Sequence, residues 1–176
     1  MDNCNKVISA INGDKECFIQ VVTEKKEFLY RTAFMYVKNE HDALEILDQT
    51  VYKAFLSIKK LKKPEYFDTW IIRILINCAI DMIRKNKKII SLNDDLENIK
   101  IDVYENHEEI IDLYDAIDSL DADLKAIIIL KYFDGFTITE IGDIMGASES
   151  KVKNMLHKAL VNLRIELKEG CISDWL

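Results

Sequence analysis

The chain of 176 residues is long enough for one domain or two small ones, and its 49% hydrophobic and 31% charged residues exclude an intrinsically disordered polymer. Five glycines, one proline and no alternating strand runs predict an all-α fold, and no apolar run approaches the ~18–20 residues that span a bilayer. The net charge of −7 argues against a nucleic-acid binder only until it is divided along the chain.

Residues 1 to about 90 read as one helical unit. Asp14 is placed to cap a helix with apolar positions Cys17, Phe18, Val21 and Val22. A second stripe, Phe28, Leu29, Ala33, Phe34 and Val37, stops at Asn39-Glu40. A third helix is expected from Asp42 through Leu44, Leu47, Val51, Ala54, Phe55 and Ile58, ending before Pro64. The fourth, Phe67 to about Lys85, is apolar around most of its girth and should be enclosed by the others. Its polar positions Arg73, Asn77, Asp81, Arg84 and Lys85 recur at three- or four-residue spacing and form one stripe; Asn77 and Asp81 could instead cap or pair internally.

Just before that helix, Lys62-Lys63-Pro64-Glu65-Tyr66-Phe67-Asp68-Thr69-Trp70 joins lysines to aromatics. Such a segment suits single-stranded DNA, where each base stacked on a ring is worth about 1–3 kcal/mol. Phe67 and Trp70 are expected in the core, which leaves Tyr66, beside Lys63, as the stacking candidate. From Lys59 to Lys88 nine basic residues face three acidic ones, a net of +6.

Ser91 to Glu108 reads as an acidic linker extended by self-repulsion, and from Ser91 to Asp123 twelve acidic residues face one basic, a net of −11. Helices resume near Glu109 and run to about Lys168, giving a second unit over 109–176. Within it Thr137-Ile138-Thr139-Glu140 is a capping box, and Ile141 and Met145 point inward on the short helix it opens. Gly142 offers a small contact surface, Gly146 a left-handed turn, and Ser148 a cap for the next helix, whose inward stripe is Val152, Leu156, Ala159 and Leu163. This is helix-turn-helix spacing. The outer face of the last helix carries Ser150, Lys151, Lys153, Asn154, His157 and Lys158. From Ser148 to Arg164 four basic residues face one acidic, a net of +3 on an acidic chain. Asn154, His157 and Lys158 lie far enough along to reach base edges; Lys151 and Lys153 are better placed for phosphates.

The four cysteines (Cys4, Cys17, Cys78, Cys171) lack metal or disulfide spacing, and the amino terminus lacks a signal-peptide pattern. The expectation is a cytoplasmic protein without metal, cofactor or small-molecule substrate. Asp112, Asp115, Asp118 and Asp121 would suit a magnesium site by spacing, but Leu113, Ala116, Ile117 and Leu120 form the complementary inward face, so the aspartates read as solvated. With no acid–base partner set, an enzyme is not expected.

These features together resemble the extracytoplasmic-function (ECF) sigma factors of the sigma-70 family over nearly the whole chain. Phe28-Leu29-Tyr30-Arg31-Thr32-Ala33 and Asp42-Ala43-Leu44-Glu45-Ile46-Leu47-Asp48-Gln49-Thr50-Val51 are similar to the start of conserved region 2. The resemblance implies that Asp42, Glu45, Ile46, Asp48 and Gln49 dock on the clamp helices of the largest subunit of core RNA polymerase. Phe67 to Ile74, Asn77 and Asp81 to Arg84 look like the part that melts and reads the −10 element, which implies −10 contacts from Lys63, Tyr66, Arg73, Asn77, Asp81, Arg84 and Lys85. Leu124 to Phe133 and the helix-turn-helix resemble region 4, which reads the −35 element and would use Ser150, Lys151, Lys153, Asn154, His157 and Lys158. Tyr36-Val37-Lys38-Asn39 and Ala79-Ile80-Asp81 are similar to a SigV-like branch of Gram-positive bacteria. Two departures stand out: Asp121 replaces the usual proline, and Leu75-Ile76-Asn77 replaces Ala-Arg-Asn. The resemblance also implies promoter DNA as ligand, a cell-envelope stress response, and a membrane-anchored anti-sigma factor that holds the protein at the inner face of the membrane. The competing reading is a stand-alone helix-turn-helix regulator with a helical sensor domain.

Overall fold

A computed structural model describes residues 3–90 and 108–166. The expected acidic linker therefore lies outside the described residues, apart from Glu108 at the start of a helix. The order is α1 (Asn3–Ile11), α2 (Lys15–Val37), α3 (Glu40–Ser57), α4 (Phe67–Ile90), α5 (Glu108–Ser119), α6 (Ala122–Ile128), α7 (Ile138–Met145) and α8 (Glu149–Glu166), with short 3₁₀ turns at 58–60 and 64–66. Among the described residues there is no strand.

Asp14 caps α2, its Oδ1 accepting from the Cys17 amide at 3.0 Å, and that bond holds the carboxyl below the usual range. The two stripes expected to be separate helices are one 23-residue helix. The intervening Thr23-Glu24-Lys25-Lys26-Glu27 is polar, but it holds neither glycine nor proline and mostly strong helix formers, so nothing ends the helix there. Lys38 ends it in a left-handed turn (φ 51°, ψ 23°). The cap of α3 is Asn39, which accepts from the Asp42 amide at 2.9 Å; the helix begins two residues before the expected Asp42. Helix α4 is enclosed as its girth predicts: Ile71, Ile72, Leu75, Ile76, Cys78 and Ala79 are all buried.

The two units pack against each other. One continuous core runs from Val7 through α2–α4 to Ala126, Ile127, Leu130, Ile141 and Val152 of the second unit, while Ala116, Ile117, Leu120, Leu124, Ala159 and Leu163 form a smaller core of their own. At the seam, fully buried Tyr36 donates from its phenol to the Ala126 carbonyl at 3.4 Å. Burial, with Asp134 nearby, pushes that phenol well above its ordinary pKa. The Lys125 ammonium, buried with its side chain, donates to the Tyr36 carbonyl at 2.6 Å and pairs with Asp118 at 2.7 Å. Asp118 is exposed, as expected, and from that rim position its carboxylate serves the buried ammonium, which requires an anionic partner. Lys38 Nζ lies 3.8 Å from the centre of the Tyr114 ring, and burial lowers the lysine's pKa.

A widened, π-helical turn over Ile129–Phe133 follows α6, and the Asp134 amide closes it on the Ile129 carbonyl at 3.0 Å. There Thr32 donates from Oγ1 to Asp134 Oδ1 at 3.1 Å, while buried Oδ2 has no partner. Burial raises the Asp134 carboxyl to about 6, against the smaller opposing pull of the Thr32 hydroxyl and Arg31. The folded protein thus holds this proton more tightly than the unfolded chain, so ionisation costs stability as pH rises from about 4 to about 6. Asp134→Asn should be more stable than wild type, with a melting-temperature gap that widens across that interval and stays constant above it. Thermal melts between pH 4.5 and 8 check this; a gap independent of pH would remove Asp134 as the cause.

Candidate nucleic-acid interface

The helix-turn-helix is built as the sequence requires. Thr137 Oγ1 accepts from the Glu140 amide at 3.2 Å while the Glu140 carboxylate accepts from the Thr137 amide at 2.8 Å, and these bonds keep that carboxyl below its usual range. Gly146 turns left-handed (φ 65°, ψ 38°) at the end of α7. A side chain at Gly142 would put its Cβ 2.8 Å from the Ala147 carbonyl oxygen, so only glycine permits the turn to approach this closely. Ser148 Oγ accepts from the Lys151 amide at 3.3 Å at the start of α8. Val152, Ala159 and Leu163 are buried and Leu156 half-buried; on α7, Ile141 and Ile144 are buried, while Met145, expected inward, is only half-buried.

Ser150, Lys151, Lys153, Asn154, His157 and Lys158 are all exposed on α8. They form a cationic surface that takes no part in the core. Glu149, the acidic residue at the head of this helix, is tied back by Thr139, whose hydroxyl donates to Oε1 at 2.7 Å. Its carboxylate is thereby anchored to the neighbouring helix.

On the first unit, the stripe Arg73, Asn77, Asp81, Arg84 and Lys85 is exposed along α4. Tyr66 is exposed, with Lys63 Nζ 5.4 Å from its ring centre, while Phe67 is buried and Trp70 half-buried and tilted against it. Lys63 and Tyr66 thus offer a cation and an exposed aromatic ring together, the combination that suits base stacking. Two arginines of the stripe already have partners in the second unit. Arg73 Nη1 donates to the Asp143 carbonyl at 3.5 Å, and Arg84 pairs with Asp123 at 3.5 Å.

The candidate docking residues on α3 divide. Glu45 and Asp48 are exposed; half-buried Gln49 donates to Glu45 Oε1 at 3.0 Å. Asp42 is half-buried and lines a cleft at the seam with Lys125 and Asp118. Ile46 is wholly buried in the core and offers no surface to a partner, so its part is to hold the helix in place. Leu44 and Phe55, expected on the apolar stripe of α3, are exposed; sequence reasoning passed over exposed Tyr52 and Leu56, which with Leu44 continue the Glu45–Asp48 face at helical spacing, and Ile19 across the groove on α2. The available signal was large apolar residues lying off the buried stripe. Among the described residues no cluster of His, Cys, Asp or Glu could hold a metal, and no helix is long and apolar enough to cross a membrane.

Residues 21–89 match the model of sigma-70 region 2, and residues 110–163 match that of sigma-70 region 4. The RNA polymerase sigma factor SigV of Bacillus subtilis is 36% identical over 159 residues, covering 90% of this chain and 96% of its own. The ECF sigma factor SigW of the same organism is 26% identical, covering 89% and 92%. Two solved structures share the fold. The sigma factor RpoE, in complex with the anti-sigma factor NepR from Bartonella quintana, has a TM-score of 0.69 at 21% identity, covering 86% of this chain and 97% of that one. CnrH, in complex with the cytosolic domain of CnrY, has a TM-score of 0.68 at 19% identity, covering 93% and 95%.

Gly142→Ala should force the Ala147 carbonyl outward and cost about 1–3 kcal/mol, the range for overpacking a tight contact. Denaturant unfolding checks this, and a variant as stable as wild type would show that the turn has slack.

Proposed function

The chain belongs to the extracytoplasmic-function sigma factors of the sigma-70 family, promoter-specificity subunits without a catalytic site of their own, and we propose how its surfaces divide that work. The region 2 unit, residues 1–90, docks on core RNA polymerase and opens the −10 element; the region 4 unit, residues 109–176, reads the −35 element. The observation that carries this division is the pair of exposed cationic faces, on α4 with its preceding loop and on α8, in a chain whose intervening stretch is strongly acidic. A polyanion is drawn to both faces and repelled between them.

In this reading Lys151 and Lys153 hold phosphates, and Ser150, Asn154, His157 and Lys158 reach base edges in the major groove. Lys63 and Tyr66 receive an unstacked base, and Asn77, Asp81, Arg73, Arg84 and Lys85 line the separated strand. Melting and flipping cost a few kcal/mol per step, which stacking and phosphate contacts must offset. Neither face is large, so tight promoter binding depends on polymerase fixing the distance between them. Docking uses Glu45, Asp48 and Gln49 with the contiguous apolar Leu44, Tyr52 and Leu56; Asp42 sits at the edge of this face.

RpoE and CnrH are both bound to partners in their structures, NepR being named an anti-sigma factor. By extension, an anti-sigma factor holds this chain inactive; anchored in the membrane, it would keep the chain at the inner face until a cell-envelope signal releases it.

The division is tested by run-off transcription from genomic promoter fragments with purified bacterial core polymerase. Transcripts that require the chain and start at a restricted set of promoters are expected. No transcript, with duplex DNA shifted by the chain alone, would favour a stand-alone regulator. Asn77→Ala should keep polymerase binding but impair open-complex formation, read by permanganate footprinting; normal opening would remove its role. Lys158→Glu should weaken use of the −35 element, and an unchanged promoter profile would make it a bystander.

A further inference from the structure

We propose that the polar interval in the middle of α2 is a brace that positions the base-capturing loop before α4, with Lys25 as its positioning residue. This deepens the reading of Lys63 and Tyr66 as the receivers of an unstacked base, and rests on it.

The loop cannot fix the Tyr66 ring by itself. Between the buried anchors Leu61 and Phe67, residues Lys62, Lys63, Glu65 and Tyr66 are exposed and Pro64 is half-buried. Lys59, Lys60, Lys62 and Lys63 are all exposed here, and like charges this close in the chain repel one another. Two hydrogen bonds set the course of the chain into α4. The Tyr66 amide donates to the Lys63 carbonyl at 3.1 Å, and the Thr69 hydroxyl donates to the Tyr66 carbonyl at 3.1 Å. The ring therefore goes where the first turn of α4 is held.

That turn is held from α2. Lys25 donates from Nζ to Asp68 Oδ2 at 2.7 Å, across 43 positions of sequence. Asp68 stands between buried Phe67 and Thr69, so the ion pair grips the residue next to the one that holds Tyr66. One residue back on α2, Glu24 pairs with Lys6 of α1, and α1 packs against both short turns of the loop, 58–60 and 64–66. Lys59, in the first of those turns, reaches the connection between α1 and α2, its Nζ 4.0 Å from where a Gly13 side chain would begin. Glu24 and Lys25 thus hold the loop from two sides, through α1 and through α4.

The interval from Thr23 to Glu27 interrupts the apolar stripe of α2, yet it neither ends the helix nor enters the core. Two of its five residues make both of the ion pairs that α2 forms among the described residues. Exposed ion pairs add little to stability, because solvent screens them and ordering two long side chains costs entropy. Their effect here is on geometry. A modest preference for one placement of the first α4 turn orders the ring in advance, so that less freedom is lost when a base arrives.

A double-mutant cycle between positions 25 and 68 tests the brace. The full chain is assembled with core polymerase on a promoter it uses, and the rate of opening is followed by permanganate footprinting. Lys25→Met and Asp68→Asn should each slow opening about two- to fivefold, the scale of an exposed ion pair. The double variant should be no slower than either one, and Lys25→Arg should open at close to the wild-type rate. Core polymerase binding should be unchanged, and the melting temperature of Lys25→Met should fall by no more than about 4 °C. A larger fall would reassign Lys25 to stability and overturn its positioning role. A double variant restored to the wild-type rate would show that Lys25 only neutralises Asp68 beside the DNA, and additive losses would show that the two act apart; either result overturns the brace. Tyr66→Ala in the same assay separates the two readings. If it slows opening and Lys25→Met does not, the brace alone falls; if it opens normally, base capture falls and the brace with it.

Discussion

A single buried ammonium organises the way this chain is put together. Lys125 lies almost without solvent between the Tyr36 carbonyl and Asp118, at a point where α2 ends, α3 is about to begin and α6 crosses from the other unit. Removing an isolated lysine from water is costly, and the cost is met only where an anion and a directed acceptor are both present. Asp118 is local, one helix away; the Tyr36 carbonyl comes from a residue 89 positions earlier in the chain. The lysine is thus satisfied in full only when the two units are in register. The neighbouring features follow the same geometry: the left-handed Lys38 that ends α2 swings its amine over Tyr114, and the Tyr36 phenol finds Ala126 rather than water.

The same economy governs the charges. An acidic chain with two basic faces has a weak intrinsic hold on DNA, because long-range repulsion offsets local attraction until the faces are close to phosphate. In this structure one of those faces is also partly neutralised from within by Asp123 and the end of α7.

Much of this was legible in the sequence, for reasons that are local. The capping box, the Gly146 turn, the close approach at Gly142 and the inward stripe of α8 each depend on residues close together in the chain, and each is present where the residue types demand it. The enclosure of α4 follows from an apolar girth that no surface helix would carry. What escaped is what depends on the far unit. Asp118 reads correctly as an exposed aspartate, but nothing beside it in the chain says that its carboxylate also serves the buried Lys125 ammonium. Ile46 looks like part of a docking face because it stands between Glu45 and Asp48, yet the turn of the helix carries its side chain off their exposed face and into the core. The break expected in α2 arose from reading a polar interval as a stop, when only glycine, proline or a capping residue supplies one.

The departure at position 76 ties these strands together. The resemblance to the family implies an arginine at this position; here Ile76 is buried among the apolar side chains of α4 and its neighbours. A guanidinium at this depth would need an acceptor that its apolar surroundings do not offer, so an arginine would have to leave the core and loosen the packing of α4. Isoleucine keeps α4 seated.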